Sequence, residues 1–262
     1  MARAVITLCG EPVTSRSIGL IVGSGFESLG LAVASRSPTK TPYGAPSSPV
    51  LAMTVGESQI SCIARHGEGH TIPPHAVNYR ANIWSLYQLG VRRCVAVNAV
   101  GAIDRSFLPG TLAVPDQLID YTWGREHTFH DGDGALDHIE FSEPLDPEIR
   151  GRMVDAIIAA GGSVRAGTYG VTQGPRLETA AEIDRLERDG CHMVGMTAMP
   201  EASLARELGM AYAICAIAVN SAAGRHPDGE PIHAEIERHT ERGMRVARVA
   251  LETLVNDLLG AV

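Results

Sequence analysis

The run Tyr212–Val219 reads Tyr-Ala-Ile-Cys-Ala-Ile-Ala-Val, with no charged or amide side chain anywhere in it. A segment this short and this apolar has no face to offer water, so it predicts a strand covered on both sides. Similar runs recur and alternate with segments of helical period. Ile18–Val22 predicts a buried strand entering the turn Gly23-Ser24-Gly25, and Val50–Val55 with Ile60–Ala64 predicts a hairpin about Gly56. Between Ala76 and Leu89 the positions Val77, Ala81, Trp84 and Tyr87 recur at helical spacing, and Gly90 supplies the stop. Val91–Val97 reads as a strand ending at Asn98-Ala99-Val100-Gly101, and Pro147–Ala160 as a helix before Gly161-Gly162. Val164–Val171 and Cys191–Met196 read as strands, Glu178–Arg188 and Glu201–Leu208 as helices, and the chain from Ala234 onward as one long amphipathic helix. Strands alternating with helices imply an α/β fold, a single domain over residues 1–262 with a central mixed, largely buried β-sheet flanked by helices. In such sheets ligands gather at the carboxyl ends of strands, where the polar Gly-rich segments of this sequence lie.

Composition narrows the partners. A net charge of −8 argues against a general nucleic-acid or membrane-surface binder, which would carry an extended basic face. It leaves room for an anionic small substrate held by a local cluster of Arg and His. The five cysteines (Cys9, Cys62, Cys94, Cys191, Cys215) are odd in number, form no CxxC and sit in apolar runs. They are expected to be reduced, structural thiols in a cytoplasmic protein. Met1–Gly10 does not read as a signal peptide, and no stretch reaches membrane-spanning length.

Several motifs admit more than one chemistry. Gly23-Ser24-Gly25 follows a strand, but Ser28 stands where a dinucleotide fingerprint needs its third glycine. A turn whose backbone N–H groups and Ser hydroxyl bind an anion fits better. Arg65-His66-Gly67-Glu68-Gly69-His70, with His75 beyond, invites a metal reading, yet the glycines and Pro73-Pro74 make it a loop rather than a helix bearing HExxH. Arg65 and His66 are read instead as an anion clamp, because Arg presents a rigid donor fork to phosphate. Asp131-Gly132-Asp133-Gly134 lacks the remaining spacing of an EF-hand and is read as a solvated loop. No GxSxG occurs for a serine nucleophile elbow. Glu178, taken alone, could be a carboxylate favoured by a helix N-terminus.

Taken together, these segments resemble the trimeric purine nucleoside phosphorylase and methylthioadenosine phosphorylase family. The likeness is carried in order by Ile21-Val22-Gly23-Ser24-Gly25, Thr41-Pro42-Tyr43-Gly44, Ala64-Arg65-His66-Gly67 and Val77-Asn78-Tyr79-Arg80-Ala81-Asn82. It continues through Asn98-Ala99-Val100-Gly101, Gln173-Gly174-Pro175-Arg176-Leu177-Glu178-Thr179 and Gly195-Met196-Thr197 followed by Pro200-Glu201. The resemblance implies that Ser24, Arg65, His66, Asn98, Ala99 and Thr197 bind phosphate, and that Met196 packs under the ribose. It assigns Leu177, Glu178 and Asn220 to the purine pocket, with Val100 and Gly101 lining it and Ser221 and Ala222 following. His233 aligns with the position that meets the 5′ substituent. The family pattern further implies no metal or organic cofactor, inorganic phosphate as co-substrate, and a homotrimer.

These residue types suit phosphorolysis. The incoming phosphate anion needs donors, and the departing base develops negative charge that an Asn amide can meet. An ionised Glu178 accepts from the N1–H of a 6-oxopurine but would face a bare lone pair on adenine. Relatives specific for adenine carry acidic residues near the position of Asn220, whereas this chain has Asn220-Ser221-Ala222. The expected substrates are therefore inosine and guanosine, since His233 would hydrogen-bond a 5′-hydroxyl. The alternative is S-methyl-5′-thioinosine, whose methylthio group needs an apolar pocket and whose phosphorylases share the texture of Gln117-Leu118-Ile119-Asp120-Tyr121-Thr122. A metal-dependent nucleoside hydrolase would need an Asp cluster after the first strand, where only Glu27 is acidic. A non-catalytic nucleoside-binding protein would be expected to lack an intact set such as Arg65, His66 and Thr197.

Overall fold

The computed structural model describes residues 18–24, 30–56, 58–132, 137–226 and 232–260, without the side chains of 232–235 and 237. Eleven strands form one sheet among these residues. They are β1 (Ile18–Val22), β2 (Ala32–Ser37), β3 (Val50–Val55), β4 (Ser58–Ala64), β5 (Arg93–Ala102), β6 (Leu112–Ala113), β7 (Gln117–Asp120), β8 (Val164–Arg165), β9 (Thr168–Val171), β10 (Cys191–Gly195) and β11 (Ala211–Ser221). The helices are α1 (Tyr79–Gln88), α2 (Pro147–Ala159), α3 (Ala180–Arg188), α4 (Glu201–Glu207) and α5 (Ile232–Gly260). The mixed α/β architecture expected from the sequence is the one found.

β11 explains its own composition. Tyr212, Ile214, Ala216 and Ala218 enter the apolar cluster shared with α1 and α4, while Ala213, Cys215, Ile217 and Val219 enter the one shared with α2 and α5. Successive side chains of a strand point to opposite faces, so a strand between two cores has no polar position to spare. The α5 face comes close enough that a β-carbon on Gly243 would overlap Ile217 Cγ2. In an exposed helix Gly→Ala gains about 1 kcal/mol, but overpacking a core costs about 1–3 kcal/mol. Gly243→Ala is therefore expected to lower the melting temperature; a rise would mean that α5 can retreat from the sheet.

β5 is the hinge of the design. Along one edge it pairs in parallel with β11 from Arg93 to Ala102. Along the other it pairs with β1 from Arg93 to Val97, and then with antiparallel β10 at Gly101 and Ala102. β1 and β10 thus end facing each other on the same edge, with Asn98–Val100 between them. This opens the sheet where Gly23-Ser24 and Met196-Thr197 leave their strands.

Several element boundaries differ from the sequence reading, each for a local reason. The strand read as ending at Val97 runs on through Asn98–Ala102, because β11 continues to pair with it. The single strand expected over Val164–Val171 is two, broken at Gly167, whose φ of 134° L side chains rarely adopt. The helix expected from Ala76 begins at Tyr79, after a 3-10 turn over Pro74–Ala76, because the Asn78 side chain caps it by accepting from the Ala81 N–H. The helix expected from Glu178 begins at Ala180, with Thr179 and Glu182 forming a reciprocal capping box. Ala32–Ser37, an exposed edge strand, carried no buried-strand pattern to be read. Cys62, Cys94, Cys191 and Cys215 are free and buried, and Cys9 lies outside the described residues. No helix among the described residues is long and apolar enough to cross a membrane.

Candidate active site

A cleft of about 600 Å³ opens at this break in the sheet. One set of lining residues comes from strand ends: Gly23 and Ser24 after β1, Arg65 and His66 after β4, Ala99 within β5, and Thr197 after β10. A second set comprises Val100, Gly101, Leu177, Glu178, Asn220 and Ala222, and Met196 also faces the space. Twelve sequence-predicted positions are accordingly gathered on one wall system, from segments scattered along the chain between Ser24 and Ala222. Asn98 and Ser221 are not among the lining residues: Asn98 is buried behind the wall, and Ser221 follows Asn220 out of it. The side chain of His233 lies outside the described residues, as does the segment 25–29.

The first set is organised by a buried ion pair. Arg65 Nε donates to Glu201 Oε2 at 2.8 Å and Nη2 to Glu201 Oε1 at 2.9 Å, with the two side chains 1% and 0% exposed. The rigid fork that the sequence reading assigned to phosphate is therefore taken up by Glu201, a residue that reading left without a role. Nη2 also donates to Asn98 Oδ1 at 3.1 Å and Nη1 to the Val97 carbonyl at 3.3 Å. Five guanidinium N–H groups less these four leave one, on Nη1. That nitrogen borders the cleft at Gly23, where a β-carbon would lie 2.6 Å from it, so the strand end has to be glycine. Burial opposes the charge on Arg65, but the charge and hydrogen bonds of Glu201 outweigh it and raise its pKa.

Asn98 acts on its neighbours rather than on the cleft. Its Nδ2 donates to Thr197 Oγ1 at 3.0 Å, which satisfies that oxygen as an acceptor and leaves the hydroxyl proton for another partner. His66 is similarly fixed. Its Nδ1 lies 2.8 Å from the Ile72 carbonyl, an acceptor only, so Nδ1 carries the proton and Nε2 presents a lone pair beside Gly23. Burial, and then the Arg65 charge, push the His66 pKa down to about 4 from 6.5. A folded-state pKa below the unfolded value means that His66 contributes stability above pH 6.5, lost as pH falls toward 4. Between those limits the melting temperature of the wild type is expected to fall more steeply with acidification than that of His66→Gln. Parallel profiles would show that His66 is not held neutral.

The second set owes its geometry to irregularities. A bulge in β11 shifts its register between Ala218 and Asn220, so that Val219 and Asn220 both border the cleft. Asn220 Nδ2 donates to the Ser221 carbonyl at 2.6 Å. Glu178 stands before the N-cap of α3, outside the helix, where Glu182 has taken the capping duty. Its Oε1 accepts from the Thr172 hydroxyl at 2.5 Å.

Besides Glu201, His70 and Arg125 are among the lining or supporting residues not expected from the sequence. His70, in the left-handed region at φ 54°, lies with its ring 4.5 Å from that of His66 and borders the cleft. Arg125 is buried and donates from Nη1 to the Met196 and Met199 carbonyls at 2.9 and 2.6 Å, and from Nη2 to the Gln173 carbonyl at 2.9 Å. It therefore ties together the loops that carry Glu178 and Thr197. A lone Arg in Trp-Gly-Arg-Glu gives no local signal of that task.

The cleft thus sets oriented donors on one side against a carboxylate and an amide on the other. The Phosphorylase superfamily matches residues 17–256, and the chain belongs to it. The chain is 50% identical over 230 residues to the probable S-methyl-5′-thioinosine phosphorylase of Xanthomonas campestris pv. campestris, covering 86% of this chain and 92% of that one. It is 44% identical over 214 residues to the 6-oxopurine nucleoside phosphorylase of Pyrococcus furiosus, covering 79% and 80%. Among solved structures, the methylthioadenosine phosphorylase of Schistosoma mansoni in complex with adenine superposes with a TM-score of 0.86 at 31% identity, over 94% of this chain and 92% of that one. The protein is an enzyme of the nucleoside phosphorylase type, a pentosyltransferase.

Proposed function

We propose that the enzyme phosphorolyses 6-oxopurine nucleosides, with S-methyl-5′-thioinosine as the preferred substrate, giving hypoxanthine and 5-methylthioribose 1-phosphate. The observation that carries the reading is that Glu178 and Asn220 share one cleft with the donors at Gly23-Ser24, Arg65 and Thr197. The C1′–N9 bond breaks as a phosphate oxygen bonds to C1′, and the electron pair leaves with the base. Donors beside Gly23 and from Thr197 hold the phosphate, and the His66 lone pair can accept from its P–OH. Such positioning is worth roughly 7–11 kcal/mol in favourable systems. The Asn220 amide meets the charge that develops on the base, while Glu178 accepts from N1–H.

For the 5′ end the sequence alone favoured inosine and guanosine through His233. The cleft supports the methylthio reading instead, because the lining residues left over from the phosphate and purine sets include Ile72, Pro73, Pro74 and Ile236. Ile236 extends from α5, one turn beyond position 233, and an apolar wall favours a thioether over a hydroxyl. The names of the X. campestris relative and of the P. furiosus relative agree on the 6-oxo base and differ at this end.

We further propose a cytoplasmic homotrimer that needs phosphate as co-substrate and no metal or organic cofactor. In support of assembly, Glu178 also borders a neighbouring hollow beside Trp123, which is 71% exposed, and Leu177, 41% exposed, stands at the cleft. Purified enzyme is expected to release hypoxanthine only when phosphate is present, with kcat/KM higher for S-methyl-5′-thioinosine than for inosine, and higher for both than for adenosine or methylthioadenosine. Equal release without phosphate would refute phosphorolysis. A preference for inosine would restore the hydroxyl reading, and sedimentation would test the trimer.

A further inference from the structure

The Arg65–Glu201 ion pair lies directly behind the donor side of the cleft. Arg65 is the only Arg or Lys among the described residues lining the cleft, so it is the fixed cation that an incoming phosphate meets. Its charge is nevertheless matched at contact distance by Glu201, which is fully buried and also accepts from the Tyr212 hydroxyl at 2.7 Å. Glu201 is not itself a lining residue and meets the cleft wall through Arg65. It lies in the first turn of α4, immediately after the Met199-Pro200 pair, and is held in place from β11 by Tyr212. Two neutral groups, Asn98 Oδ1 and the Val97 carbonyl, take further N–H groups of Arg65 without adding charge.

Resting on the reading that this subsite takes phosphate, we infer that Glu201 is a positioning residue that sets the subsite's charge. By neutralising Arg65 and fixing its plane, it leaves the anion one guanidinium N–H and no net positive charge. Phosphate is then held by directed hydrogen bonds from the Arg65 Nη1, Thr197 and the Gly23-Ser24 turn, and remains loosely enough bound to act as a nucleophile. A buried cation deprived of its carboxylate would instead seek the nearest anion, which is the phosphate itself.

The proposal is tested by two isosteric substitutions of opposite electrical sign. Glu201→Gln removes a negative charge beside Arg65, and Asn98→Asp adds one at the atom already 3.1 Å from Nη2. Titration calorimetry with inorganic phosphate is expected to give a Kd about tenfold or more lower for E201Q and about tenfold or more higher for N98D, as a unit charge a few ångströms away demands at an effective dielectric constant near 20. KM for phosphate should follow the same order, while KM for the nucleoside stays within about twofold in both. A purely structural role would weaken phosphate binding in both variants, and that result overturns the inference. If E201Q does not fold, N98D decides: phosphate bound as tightly as by the wild type overturns it. Failure of the wild type to bind phosphate at all would refute the phosphate reading of the subsite itself, a different result from variants shifting together.

Discussion

Asn220→Ala is expected to lower kcat on 6-oxopurine nucleosides by about 10²–10³-fold, the usual loss when one donor to a developing anion is removed, with KM for phosphate little changed. Asn220 is 7% exposed, and one of its amide hydrogens is spent on the Ser221 carbonyl, so one remains for N7 or O6 of the base. The charge it would meet is absent from the ground state and present in the transition state. A donor of this kind acts on kcat rather than on substrate KM. The companion substitution Asn220→Asp replaces a donor with an acceptor and should move preference toward 6-aminopurine nucleosides. Steady-state kinetics on hypoxanthine- and adenine-bearing substrates measure both. An Asn220→Ala enzyme with unchanged kcat would remove Asn220 from the chemistry.

Glu178→Gln is expected to collapse the discrimination between 6-oxo and 6-amino bases. A site that pairs a buried polar group with a substrate donor rejects the analogue lacking that donor by about 10⁴–10⁵-fold. Thr172 donates to Glu178 Oε1, which leaves the second carboxylate oxygen for N1–H of the base. A glutamine can present either an oxygen or an NH₂ there, so it can serve both kinds of base and serves neither as well. The measurement is the ratio of kcat/KM for S-methyl-5′-thioinosine to that for methylthioadenosine. A ratio unchanged from the wild type would assign base selection elsewhere.

Much of the site was legible because its motifs are short and local. Gly23-Ser24, Arg65-His66, Ala99-Val100-Gly101 and Met196-Thr197 each sit where a strand ends or changes partner, and each carries the residue types that anions or bases need. What escaped notice was of another kind. Arg65 looks like a free fork in sequence because Glu201 is 136 residues away, and only the shared packing of β4, α4 and β11 brings the two together. Arg125 gives no sign of its role because its partners are backbone carbonyls, which every residue has. Glu178 could be read as a helix-terminal carboxylate until the capping box showed that Glu182 holds that position.

The sequence by itself determined the α/β class, the both-face burial of Tyr212–Val219 and the identity of most cleft residues, since hydrophobic period and turn chemistry act over neighbouring positions. Tertiary structure alone decided that β1 and β10 meet end to end on β5, that a bulge brings Asn220 to the cleft, and that Asn98 stands behind the wall. It also decided that the Arg65 charge is already matched by Glu201. Register and ion pairing are settled by which distant segments share a core, a property of the folded sheet that no local stretch of the chain contains.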